Sequence, residues 1–80
     1  MTHELKTEKE HFRSVVNHTK RFEIRKDDRG FKVWDKLRLR ETENGVYTGS
    51  FFDVQVTHIL RNVPEYGLMD GYCILSILPI

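Results

Sequence analysis

Apolar and polar residues alternate with a period of two along most of this chain, the pattern of strands with one face buried. Phe22 and Ile24 alternate with Arg21, Glu23 and Arg25. Leu37 and Leu39 alternate with Lys36, Arg38 and Arg40. Phe52, Val54 and Val56 share one face of a longer stretch, opposite Phe51, Asp53, Gln55 and Thr57. Tyr72 to Leu78 is almost continuously apolar, which predicts a strand covered on both sides. A single stretch breaks this rhythm. Phe12, Val15 and Val16 fall at helical spacing, and Thr7 and Glu10 have the spacing of a capping box, so a helix is expected over 7–17, ending at Asn17 or His18. The preceding His3-Glu4-Leu5 reads as short and extended.

Turn residues divide the strands. Lys26 to Gly30 reads as a loop, with Asp and Gly supplying local side-chain bonds and positive φ. Phe31 and Val33 are expected in the core, and Asp35 opens a turn into the next strand. Asn44-Gly45 fits a two-residue hairpin turn, from which Val46 to Gly49 returns as a short strand. Arg61 to Gly71, with Pro64, Gly67 and Gly71, reads as a loop. One N-terminal helix followed by about five short strands predicts an α+β fold that is mainly β. The expected form is a small, closed or half-closed antiparallel barrel, with the helix covering one opening.

Length and composition narrow the class. Eighty residues make one domain with a small core. No apolar run approaches the ~20 residues of a membrane-spanning helix, and residues 1–10 lack the apolar centre of a signal peptide. Cys73 is the lone cysteine and has no disulfide partner, so it is expected as a small buried hydrophobe in a reducing, cytoplasmic setting. His3, His11, His18 and His58 show no metal-ligand spacing, and no metal or cofactor is expected.

Charge carries more information in its distribution than in its total. The net charge is +1, yet residues 20–40 hold nine basic against four acidic groups. Lys20, Arg21, Glu23, Arg25 and Lys26 crowd into seven positions. In that strand, Phe22 and Ile24 are expected to face the core while the ionic side chains face the other way. The ionic face is either a solvated surface or the wall of a polar cleft that grips an anion. Arg21, Arg25 and Lys26 suit phosphate contacts, and Lys20 with Glu23 suits polar recognition. Trp34, Tyr47 and Tyr72 are aromatic residues that either pack in the core or stack on bases. There is no glycine-rich phosphate loop and no nucleophile elbow.

Lys20-Arg21-Phe22-Glu23-Ile24-Arg25 resembles the lysine-x-x-(glutamate or threonine)-x-arginine strand of ASCH domains, in the PUA-like superfamily. Phe31-Lys32-Val33-Trp34-Asp35-Lys36-Leu37-Arg38-Leu39 is similar to the turn and strand that follow there, with Trp34 standing where the motif has glycine. Tyr47-Thr48-Gly49 and the ending Gly67 to Ile77 look like a compact bacterial and phage subfamily. The resemblance covers roughly residues 3–78. It implies a PUA-like barrel with a cleft beside the helix and an RNA or nucleotide ligand. Some members resemble amidohydrolases acting on acylated cytidine, which would make Lys20 and Glu23 catalytic. Three readings therefore stand open: an RNA- or nucleotide-binding module, a hydrolase of a modified nucleoside, and a small module docking an acidic protein partner.

Overall fold

The structure is a computed structural model describing residues 1–80. Five strands form one mainly antiparallel sheet that curls into a half-barrel around one helix. They are β1 (Thr2–Glu8), β2 (Phe22–Lys26), β3 (Lys36–Glu43), β4 (Val46–Arg61) and β5 (Tyr72–Pro79); α1 (Lys9–Val16) follows β1 directly. The sheet order is β1-β3-β4-β5-β2. The predicted mainly β fold with about five strands and one helix is thus present, with two changes of detail. A strand precedes the helix, and it pairs parallel to β3, with Leu5 opposite Leu39.

The first change comes from Thr7. Its spacing to Glu10 suits a capping box, but His3, Leu5 and Thr7 also form a period-2 series, and all three are buried. The strand wins because pairing with β3 satisfies a row of backbone groups and buries Leu5, whereas a cap satisfies two amides. The helix starts at Lys9 after Glu8, with no side-chain cap. It stops where expected, at Asn17, and His18 takes the left-handed conformation (φ 67°).

Phe12 and Val15 of α1 pack with Leu5, Phe31, Leu37, Leu39, Val54, Val56, Cys73, Leu75 and Ile77 in one core. Each such side chain contributes about 1.5–3 kcal/mol when fully buried. Asn44 and Gly45 form the β3–β4 turn with both φ positive, at 52° and 79°. Beyond it, the two expected strands are one, 16 residues long. Two readings of burial are corrected. Val33 is exposed in the turn before β3. In β5 only Cys73, Leu75 and Ile77 are buried, because one face of β5 meets the core enclosed by the curled sheet and no second layer covers the other.

Candidate ligand cleft between the sheet edges

Curling the sheet brings its two ends, β1 and β2, toward each other, but they do not pair. Their facing edges and the start of α1 enclose a cleft of about 480 Å³. Lys6, Thr7 and Glu8 line it from β1, His11 from α1, and Phe22, Glu23, Ile24 and Arg25 from β2, with Lys20 just before that strand.

Glu23 is the centre of this site. It lies opposite Leu75 across the β2–β5 ladder, and Leu75 is a core residue, so Glu23 shares the inner face and is only 3% exposed. A buried carboxylate is costly unless paired and fully hydrogen-bonded. Here Lys20 Nζ donates to Oε1 at 2.9 Å, while Arg25 Nη2 and Nε donate to Oε2 at 2.9 and 3.1 Å. Both carboxylate oxygens are therefore engaged by cations.

Arg25 also works across the gap. Its Nη2 donates to the Lys6 carbonyl at 3.0 Å and to Thr7 Oγ1 at 3.3 Å. Arg29 repeats the device one step along, its Nη1 donating to the Glu4 carbonyl at 3.1 Å. The carbonyls of Glu4 and Lys6 lie on the side of β1 turned away from β3. Two arginines thus supply donors that a sixth strand would otherwise supply, and they tie the open seam.

Of the two readings of the ionic face, solvated surface or cleft wall, Lys20, Glu23 and Arg25 take the second and line the cleft. The expected core position of Phe22 and Ile24 is corrected: they lie on the outer side of β2, 45% and 52% exposed. Alternation separates two faces but does not say which one is inside. Here the seam's need for donors places the ionic face inward.

The other candidates lie elsewhere. Arg21 is exposed and its Nε donates to the His18 carbonyl at 3.4 Å. Lys26 borders a separate hollow of about 160 Å³ next to Arg29 and Phe31. Trp34 is 67% exposed in the turn before β3, outside the cleft, at φ 76°. Cys73 is fully buried as expected. Its burial, reinforced by the nearby Asp27 carboxylate, pushes its thiol up.

Sequence reasoning missed Lys6, Thr7, Glu8 and His11, because their proximity to β2 depends on the curl of the whole sheet. It also missed a second buried polar cluster at the far end of β1. There His3 Nε2 pairs with Asp35 Oδ2 at 2.8 Å, and the Lys32 amide donates to the same oxygen at 3.0 Å. Burial pushes the Asp35 carboxyl up. The bonds from His3, Lys32 and the N-terminal ammonium, with the ammonium's charge, outweigh that and hold it below its ordinary value. The signal for His3 was its place in the His3-Leu5-Thr7 alternation.

Chemically, the cleft offers cations and one neutralised carboxylate in a partly dry setting. The Lys20 ammonium is engaged by a carboxylate rather than isolated in an apolar pocket, an arrangement suited to binding more than to an amine nucleophile. His11, Glu8 and Lys6 add donors and acceptors at the rim.

Over 57 residues the chain is 37% identical to a protein of Escherichia phage P2 described as an uncharacterized 12.9 kDa protein in the GpA 3′ region. The match covers 71% of this chain and 52% of the phage protein, so the aligned stretch spans about half the length of that relative. A family model matches residues 2–77, from the first residue of β1 to the end of the buried part of β5. By that match the chain belongs to the family described as a domain of unknown function, DUF3850.

Proposed function

We propose that this domain binds RNA or a nucleotide-like ligand in the cleft between β1 and β2, and that it is an ASCH-type member of the PUA-like superfamily. The observation that carries the reading is the buried Glu23 held between Lys20 and Arg25, lining a cleft large enough for a small polar ligand. The carboxylate fixes both cations in place. Lys20 Nζ keeps further N–H donors beyond its Glu23 bond, as does Arg25 at Nη1, for a phosphate or base edge. Phe22 and Ile24 at the rim supply apolar contact for a ring. The Lys20-x-x-Glu23-x-Arg25 spacing of the ASCH resemblance falls on the three residues that meet in this cleft.

The test is a titration of single-stranded RNA and of uridine monophosphate, followed by anisotropy and by NMR shifts. Binding should weaken steeply as salt rises, since released counterions contribute to affinity. Lys20→Ala should weaken it about tenfold, as expected for one charge-assisted bond, while the fold survives because Arg25 still holds Glu23. Absent binding, or binding indifferent to salt and to Lys20, refutes the proposal.

A further inference from the structure

The outer face of β1, β3 and β4 carries two guanidinium–aromatic stacks that the cleft does not use. Arg40 Cζ lies 3.9 Å from the centre of the Tyr47 ring, and Arg38 Cζ lies 4.2 Å from the centre of the Phe51 ring. Lys6 Nζ sits over Tyr47 at 5.7 Å, and Lys6 also lines the cleft, so the two regions are continuous. Tyr47 and Phe51 are 43% and 54% exposed, large for aromatic side chains in a strand.

We infer that this face is a second nucleic-acid contact, over which a single strand leaving the cleft runs along β3 with bases stacked on the Arg40–Tyr47 and Arg38–Phe51 pairs. The inference extends the proposed nucleic-acid reading of the cleft from a nucleotide to a polymer. Its physical basis is the orientation of the guanidinium groups. Asp53 accepts from Arg38 Nε and Nη2 at 2.9 and 3.0 Å, and Glu4 lies 3.5 Å from Arg40 Nη1. Asp53 therefore holds the edge of the Arg38 guanidinium with two bonds, Glu4 approaches one corner of Arg40, and each guanidinium carbon lies over a ring. Over a third of each arginine side chain remains exposed to solvent.

Flat guanidinium and aromatic faces are what unpaired bases stack on. An acidic peptide instead needs guanidinium edges, and that of Arg38 is already occupied by Asp53. Lys36, 3.2 Å from Asp53, adds a further cation, so four basic groups face two carboxylates and the patch favours a polyanion.

The experiment compares a labelled oligouridylate of about twelve nucleotides with uridine monophosphate. It uses the wild type, Lys20→Ala, Arg38→Gln/Arg40→Gln and Tyr47→Ala, each checked for folding by thermal unfolding, with polyglutamate as a third probe. Both outer-face variants should bind the oligomer at least about tenfold more weakly, the loss expected for one stacked base, and bind the mononucleotide unchanged. Oligomer affinity at the wild-type level in both variants overturns the inference. If Lys20→Ala weakens the oligomer in that case, the cleft proposal still stands. If Lys20→Ala has no effect while the outer variants do, the cleft proposal fails and the outer contact remains. Variants that lose binding to polyglutamate but keep the oligomer overturn the inference in favour of a protein partner.

Discussion

Removing Arg25 should destabilise the domain far more than removing an ordinary surface cation. In Arg25→Leu, Glu23 keeps Lys20 but loses both bonds to Oε2, and the Lys6 carbonyl and Thr7 hydroxyl lose their donor across the seam. Breaking a buried ion pair from one side costs about 3–5 kcal/mol. The low end applies here, because the Arg25 side chain is 23% exposed and water can reach part of the site. For a domain of this size, about 3 kcal/mol lowers the melting temperature by roughly 12–24 °C. Urea denaturation with a double-mutant cycle separates the pair from its surroundings. Glu23→Leu/Arg25→Leu should lose clearly less than the sum of the two single variants, since Glu23 and Arg25 then no longer leave each other unpaired. A cost for Arg25→Leu below about 1 kcal/mol, the range of exposed pairs, with an additive double variant, would mean that Glu23 is hydrated and the seam is not tied. The cleft would then have no fixed shape.

Three further outcomes follow from other parts of the fold. Because the native pKa of Asp35 lies below its unfolded value, its contribution is fully present above about pH 4 and is lost as pH falls through the native value. Asp35→Asn should therefore be less stable than wild type at pH 6, with the gap narrowing as pH falls below about 4 in urea titrations; a pH-independent gap contradicts this. Trp34 holds φ 76° with its ring mostly in solvent. Trp34→Gly relieves a left-handed strain of about 1–2 kcal/mol against about 0.5–1 kcal/mol of added chain entropy, and should raise the melting temperature by a few degrees; a fall would show that the ring makes stabilising contacts. Cys73 should resist alkylation by iodoacetamide at neutral pH and react on denaturation, since burial both shields the thiol and disfavours its thiolate. Rapid labelling of the native protein would place it at the surface.

Much of the architecture was legible in the residues. The Asn44-Gly45 hairpin, the inward Leu37 and Leu39, the inward Val54 and Val56, and the end of the helix follow from local stereochemistry and from period-2 burial. The grouping of Glu23 and Arg25 on one face of β2, with Lys20 beside them, was legible in the same way. These features depend on a residue and its near neighbours, which is the range over which a linear pattern carries physical information.

What lay beyond that range was decided by the curl of the sheet. Phe22 and Ile24 looked like core residues because two apolar side chains in a small domain usually find one. They face outward because β2 ends the sheet opposite β1, and the edge carbonyls of β1 require donors that only the ionic face can give. Tyr72 to Leu78 looked doubly covered, but the curled sheet encloses a core on one face only and nothing packs on the other. Lys6 and His11 joined the cleft for the same reason, since the closure of a half-barrel sets two strands distant in sequence side by side. Alternation in the chain therefore settled which side chains travel together, and the unsatisfied backbone of two facing edges settled which way they point.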